Sequence, residues 1–109
     1  MIGSTSLAAG RGNVRVWLAT EALDMRRGFD RLAEHVRLVL AQDPLSGHLF
    51  VFLSRNGQRV KILWWDSDGY CIYYKRLERG TFPFPASDQK SVAIDSQELM
   101  KLLSGLAIK

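Results

Sequence analysis

The pattern of hydrophobic and polar positions changes from helical to alternating near residue 48. Residues 14–18 alternate as in a first strand, and from Asp24 to about Ala41 apolar residues recur every three or four positions, which predicts one long helix. The apolar stripe of this helix consists of Met25, Phe29, Leu32, Val36 and Val39. Asp24 is the predicted N-cap, because its carboxylate can accept hydrogen bonds from unpaired backbone amides.

Two strand-like runs follow, HLFVFLSR and QRVKILWW, and Asn56-Gly57 joins them. This dipeptide is a strong hairpin signal, because both residues tolerate the positive φ of a type I′ turn. If the two residues form the loop, residues whose numbers sum to 113 face each other. One face then carries the pairs Leu53–Val60, Val51–Ile62 and Leu49–Trp64. We assign this apolar face to the core beneath the helical stripe. The other face, which includes Trp65, is aromatic and partly basic.

A turn at residues 66–69 sends the chain back as a third hairpin strand, YCIYYKRL. A two-residue and a three-residue loop would present opposite faces of this strand, and the pattern leaves both registers open. The FPFP segment at residues 82–85 is predicted to be an extended edge or crossing segment, because proline is disfavoured in central strands. Asp95 and Glu98 have the spacing of a capping box before a C-terminal helix.

The order of elements predicts an α+β fold. We expect an antiparallel β-meander of about four strands, with one long helix after the first strand and a C-terminal helix packed on it. Residues 1–13 are rich in Gly, Ser and Ala and are predicted to be a flexible lead-in to a single domain, residues 14–109.

Composition narrows the function classes. The chain has 109 residues, 47% of them hydrophobic, and no stretch approaches the about 20 apolar residues of a membrane helix. With one cysteine, Cys71, and no secretory signal pattern, we expect a soluble cytoplasmic protein without membrane contact. Asp66 and Asp68 have the spacing of a turn, and neither a third metal ligand nor a nucleophile motif lies nearby. We therefore predict no enzymatic activity, no metal and no cofactor.

Positive charge is concentrated in the predicted meander. The whole chain carries a net charge of +4, and residues 55–79 hold six Lys and Arg against three Asp and Glu, a net of +3. Such cations attract phosphates or acidic protein groups. The interleaved aromatic residues could stack on bases, anchor a protein interface or pack inside the same chain, and the sequence leaves these alternatives open.

Four segments together resemble a known family. They are DMRRGFDRL (24–32), DPLSGHLFVF (43–52), RVKILWWDSDGYCIYYKRLERGTF (59–82) and SQELMKLLSGL (96–106). By these segments the chain is identified as similar to the small accessory protein TnpB, the second open reading frame product of IS66-type bacterial insertion sequences. The chain departs from the family pattern at Phe84-Pro85, where members commonly have an aromatic-Trp-Pro sequence. The RNA-guided nuclease that shares the name TnpB is a different, far larger protein.

The resemblance implies a role in DNA transposition beside a larger transposase that carries the catalytic residues. Our hypothesis is a non-enzymatic accessory protein that assists transposase–DNA complex assembly. The alternative is a protein–protein interaction module that binds the transposase, or a second copy of itself, without touching DNA. The expected partners are the transposase and other proteins of the same element, DNA at the element ends, and a second copy in a homo-oligomer. The residues predicted to bind nucleic acid or a partner are Arg26, Arg27, Lys61, Trp65, Tyr74, Lys75, Arg76 and Arg79.

Overall fold

The computed structural model describes residues 14–105, so the predicted lead-in at residues 1–13 lies outside the described residues. Five strands and two helices follow one another along this part of the chain. They are β1 (Val16–Ala19), α1 (Phe29–Leu38), β2 (Leu49–Leu53), β3 (Arg59–Trp65), β4 (Tyr70–Arg76), β5 (Ser91–Ile94) and α2 (Ser96–Leu103). Neither helix is long and apolar enough to cross a membrane.

The strands form one mixed sheet in the order β4-β3-β2-β1-β5. Strands β2, β3 and β4 are an antiparallel meander, as predicted. The prediction of an antiparallel sheet of about four strands is otherwise wrong, because β1 is parallel to β2 and a fifth strand pairs with β1. The crossover through α1 returns the chain in its original direction, which makes β1 and β2 parallel. At four residues, β5 is too short for its alternation to be distinctive.

The β2–β3 register is confirmed, but the loop is different. The four paired positions, including Val51–Ile62 and Leu53–Val60, have numbers that sum to 113. The amide of Ser54 donates to the carbonyl of Arg59 over 2.9 Å, so the loop has four residues instead of two. Only Gly57 in this loop has a positive φ, of 73°, and no type I′ turn forms at Asn56-Gly57. The register is unchanged because the loop is longer by one residue on each side.

The register of β4, which the sequence left open, is the one that a two-residue loop imposes. Trp65 lies opposite Tyr70, and the amide of Asp66 donates to the carbonyl of Gly69 over 2.8 Å. The alternation of side chains then divides β4 between the two faces of the sheet. Cys71, Tyr73 and Lys75 share a face with Trp64, and Tyr70, Ile72, Tyr74 and Arg76 share a face with Trp65.

The two helices cover opposite faces of the sheet. The apolar face, with Val51, Ile62 and Trp64, packs under α2 and Phe82. Helix α1 instead covers the opposite face, where Phe50 and Phe52 are fully buried against it. Both faces of the central strands are therefore core. The prediction that α1 covers the apolar face was wrong, and the aromatic face is largely occupied by the chain's own helix.

Helix α1 is shorter than predicted, with ten residues. It begins after Gly28, because the Asp24 carboxylate accepts from the Arg26 amide two residues on, at 2.9 Å, and thereby forms a turn. Asp24 is thus not the N-cap. Of the predicted stripe, Leu32 and Val36 are buried, whereas Phe29 is half exposed. The capping box of α2 forms as expected, with the Glu98 amide 2.7 Å from the Asp95 carboxylate.

Candidate functional site

Three cationic side chains and one tyrosine lie together where β3 begins and β4 ends. Arg59 is opposite Arg76, and Lys61 is opposite Tyr74, all on the face covered by α1. We call these four residues the basic cluster. Arg59, Tyr74 and Arg76 line an open cavity of about 310 Å³, so the guanidinium groups border a volume that solvent can enter.

The two arginines are close neighbours of like charge. The Leu77 amide donates to the Gln58 carbonyl, so Gln58–Leu77 is a hydrogen-bonded pair and the adjacent Arg59–Arg76 pair is not. Opposite residues in such a pair have Cα atoms about 4.5 Å apart, the closer of the two antiparallel spacings. Like charges directly opposite each other destabilise a sheet. The arrangement is therefore unfavourable unless an anion reduces the repulsion.

The contacts within the described part of the chain neutralise only one of the two arginines. Arg76 Nε lies 3.0 Å from the carboxylate of Glu78, and both side chains are largely exposed. Arg59 Nη1 donates to the uncharged Tyr74 hydroxyl over 3.2 Å. An exposed ion pair such as Arg76–Glu78 contributes little to stability and is screened by salt. The cluster thus keeps a positive potential at the cavity.

Lys61 adds a third charge on the same face, two residues along β3 from Arg59. It is only 8% exposed, and its ammonium group donates to the Arg27 carbonyl over 2.8 Å. The same group lies 4.7 Å from the centre of the Tyr74 ring, in a cation–π contact. Among residues 14–105 it forms no ion pair with a carboxylate. Buried cations normally have such a partner, so Lys61 contributes uncompensated charge to the site.

Arg27 borders the same region through His35. An Arg27 guanidinium nitrogen lies 3.2 Å from His35 Nδ1, and the His35 ring meets Phe52 edge-on at 5.7 Å. Because arginine can only donate, Nδ1 is the acceptor. Burial, and secondly the charge of Arg27, lower the pKa of His35, which favours this neutral form. The neutral imidazole therefore holds Arg27 beside the first turn of α1.

The structure brings together four of the predicted site residues and places the others elsewhere. Arg27, Lys61, Tyr74 and Arg76 lie in or beside the basic cluster, as described above. Lys75 points to the opposite face, where its ammonium group donates to the Leu103 carbonyl of α2 over 2.6 Å. Trp65 lies at the other end of β3 and packs edge-on against Tyr70 at 5.1 Å. The predicted binding roles of Lys75 and Trp65 are therefore not supported by their positions, which lie away from the basic cluster.

The two remaining predicted arginines are exposed. Arg26 forms an ion pair with Asp24 over 2.7 Å. This contact, chiefly its side-chain hydrogen bond, lowers the pKa of Asp24. Arg79 lies in the loop after β4. Neither residue belongs to the cavity of the basic cluster.

Arg59 is the cluster residue that the sequence analysis did not select. Its charge was visible, but its position opposite Arg76 follows only from the β3–β4 register. If the Asp66-Ser67-Asp68-Gly69 turn is taken with a two-residue loop, residues whose numbers sum to 135 face each other, and Arg59 and Arg76 meet. The missing information was therefore the length of one loop.

The described residues contain no group of three or more His, Cys, Asp or Glu side chains that could hold a metal ion. Burial raises the pKa of the Cys71 thiol, and the nearby Asp66 and Asp68 add to this effect. A raised pKa disfavours the reactive thiolate. The positive charges and N–H donors of the basic cluster are of the kind that attract an anion.

The fold and the site together define a small α+β protein with a mixed sheet between two helices and a cationic cluster at one end. The chain belongs to a family of insertion-sequence accessory proteins. The family model described as IS66 Orf2 like protein matches residues 14–109. This match confirms the resemblance found in the sequence.

Two relatives come from Sinorhizobium fredii. The uncharacterized protein y4hO is 48% identical over 94 residues, which cover 86% of this chain and 82% of that protein. The uncharacterized protein y4jC is 33% identical over 93 residues, covering 85% of this chain and 80% of that protein. No solved structure matches the chain.

Proposed function

We propose that this chain is a non-enzymatic accessory protein that helps to assemble a transposase–DNA complex, and that its basic cluster contacts DNA phosphates. Membership in the IS66 Orf2-like family supports the role in transposition. The single observation that carries the DNA contact is the Arg59–Arg76 pair. A phosphate between the two guanidinium groups would convert their repulsion into two charge-assisted interactions.

The two other cluster residues fit the same ligand. Lys61 adds positive charge on the same face, and its ammonium group lies against the Tyr74 ring. Tyr74 is 49% exposed, so part of its surface remains available to a sugar or a base. The cluster offers donors for the backbone and one aromatic surface, which favours contact that depends little on sequence.

The proposal is tested by fluorescence anisotropy with the purified full-length chain. One labelled duplex carries the terminal repeat of the element and the other a scrambled sequence, and each is titrated at several salt concentrations. We expect binding to both duplexes, with log K falling linearly against log salt by about 0.9 per phosphate contacted. A preference for the terminal repeat would add recognition of sequence or shape.

Absence of binding at low salt by a folded sample would contradict the DNA contact. The same sample would then be tested for a stable complex with the transposase without DNA. A complex of that kind would support the alternative of a pure protein–protein interaction module. DNA binding and transposase binding can be distinguished, because only DNA binding depends on salt through released counterions.

A further inference from the structure

Strand β4 is an edge strand with a free side. It lies at the end of the sheet, and within residues 14–105 its only strand neighbour is β3. The amide of Leu77 donates to Gln58, and that of Asp66 to the carbonyl of Gly69. These pairs show that odd-numbered residues of β4 form hydrogen bonds with β3. The amides and carbonyls of Tyr70, Ile72, Tyr74 and Arg76 therefore point outward from the sheet.

Only one end of this strand carries the charges, Lys75 and Arg76, that commonly protect an edge strand. All seven residues of β4 pair with β3 in one continuous register, without a bulge or a proline. Proteins normally shorten, kink or cover such a strand, because its unpaired backbone groups are a template for another strand. The opposite edge strand, β5, is limited to four residues. The long straight edge of β4 is thus an available pairing surface.

The charges at the two ends of β4 favour an antiparallel second copy of this chain as the strand that pairs with this edge. Asp68 is exposed in the turn that precedes the strand, and Arg76 is exposed at its end. An antiparallel second copy would bring each carboxylate opposite the guanidinium group of its partner. A parallel copy would instead place like charges together.

We propose that two copies of this chain pair antiparallel through β4, with Ile72 on the two-fold axis. In this register Tyr70 faces Tyr74 of the partner subunit, and Asp68 faces Arg76 of the partner subunit. The outward-pointing amides and carbonyls then meet each other across the axis, and the two sheets become one sheet of ten strands.

The dimer would share one residue, Arg76, with the basic cluster. The two-fold axis of an antiparallel pair is perpendicular to the sheet, so the basic clusters of both copies lie on the same face. The Arg76 guanidinium has five N–H donors and can interact with a carboxylate and a phosphate together. The dimer is measured without DNA, so its failure and that of the proposed function are distinguishable.

The first test is sedimentation velocity of the full-length chain over a concentration series, without DNA, for the wild type and Ile72→Pro. Because the Ile72 amide points outward, proline there removes no hydrogen bond within the monomer. We expect a reversible dimer for the wild type and a monomer for Ile72→Pro, with unchanged far-UV circular dichroism.

The matched control is Ala93→Pro on the other edge of the sheet. The Thr20 amide donates to the Lys90 carbonyl, so the amide of Ala93 also points away from the sheet. This variant makes the same change on β5 and should keep the wild-type dimer. Loss of the dimer in both variants, or in neither, would overturn the assignment to β4.

Charge reversal tests the register and needs no proline. Asp68→Arg and Arg76→Asp should each weaken the dimer about tenfold, since each creates like-charge contacts at two symmetric positions. The combined variant should return to within about threefold of the wild-type dissociation constant, because the charges are exchanged. Failure of the double variant to recover would overturn the proposed register.

A wild-type chain that stays monomeric at every accessible concentration would overturn the proposal as a whole. In that case, hydrogen exchange at the amides of Tyr70, Ile72 and Tyr74 would show whether another segment of the same chain covers the edge. Protection of these amides in a monomer would assign the edge to that segment.

Discussion

Arg59 and Arg76 hold two positive charges opposite each other in a closely spaced cross-strand pair. A sequence selected only for stability would have opposite charges, or aromatic and β-branched side chains, at such a position. Both side chains are exposed, so no packing of the core requires them. The pair is therefore better explained by a ligand than by the fold.

Removing this pair should leave the protein as stable as before. We expect Arg59→Ala with Arg76→Ala to change the free energy of unfolding by less than about 0.5 kcal/mol, because lost exposed contacts are offset by relieved repulsion. Urea denaturation at low and high salt measures this change. A loss of several kcal/mol would show that the pair is structural.

His35 makes the stability of the fold depend on pH. Its folded-state pKa lies below the ordinary value of 6.5, with burial as the main cause and the Arg27 charge as the next. Between about pH 6.5 and the lower folded-state pKa, the unfolded chain therefore binds a proton that the folded chain does not. The free energy of unfolding should fall as the pH decreases from about 6.5 towards the folded pKa, and it should be maintained above that range.

The matched comparison is His35→Gln, which cannot titrate. Its free energy of unfolding, measured by urea denaturation between pH 4.5 and 7.5, should vary less with pH than that of the wild type. The ordinary carboxylate titrations are common to both proteins and cancel in the difference. Identical pH profiles would contradict the assignment of the titration to His35.

At the scale of elements, short contacts between loops and strand ends position the layers of the fold. The carbonyl of Gly57 accepts from the amide of Phe82 at 2.6 Å, and this contact fixes Phe82 under the apolar face of the sheet. The β2–β3 loop thus has two roles. It joins two strands, and it anchors the segment that crosses to β5.

Gly57→Ala should disturb both roles. Its φ is +73°, and an added Cβ would lie 3.1 Å from Thr81 Cβ and 3.3 Å from the Phe82 carbonyl oxygen. We expect a loss of about 1–3 kcal/mol in the free energy of unfolding. The control is Gly47→Ala, where φ is +84° but no atom lies within 4 Å of the added Cβ. A loss at Gly57 no greater than at Gly47 would contradict the contact argument.

Lys75 supports α2 instead of the basic cluster. Its ammonium group donates to the Leu103 carbonyl at the C-terminal end of the helix, where positive charge is favourable. Lys75→Met keeps the aliphatic stem and removes this interaction, so we expect a loss of about 1 kcal/mol in the free energy of unfolding. Lys101→Met, an exposed position of the same helix, should have little effect. Equal losses in the two variants would contradict the assigned contact.

At the scale of the whole molecule, the sequence predicted most local elements but missed β5, and it predicted their arrangement only partly. The β2–β3 register, in which paired residue numbers sum to 113, followed from one turn dipeptide. The α2 capping box followed from the spacing of Asp95 and Glu98. Both signals depend on residues close together in the chain. The partner of β1 and the face covered by each helix depend on distant contacts, which the pattern of a single segment does not contain.

The candidate site, like the arrangement of the elements, was only partly predictable from the sequence. The cations of the meander were visible as a charge excess, but strand alternation separates neighbours such as Lys75 and Arg76 onto opposite faces. The length of the Asp66–Gly69 loop decides which of them joins Lys61, and the sequence allowed two lengths. One loop thus determined which charges form the site.

The most direct test of the account is the salt dependence of DNA binding by two double variants with equal charge. Arg59→Ala with Arg76→Ala removes the cationic pair, and Arg15→Ala with Lys101→Ala removes the same charge outside the cluster. We predict that the slope of log K against log salt becomes shallower by about 0.9 in the first variant only, because the pair contacts one phosphate. Equal slopes in the two variants would contradict the claim that the basic cluster is the phosphate-binding site.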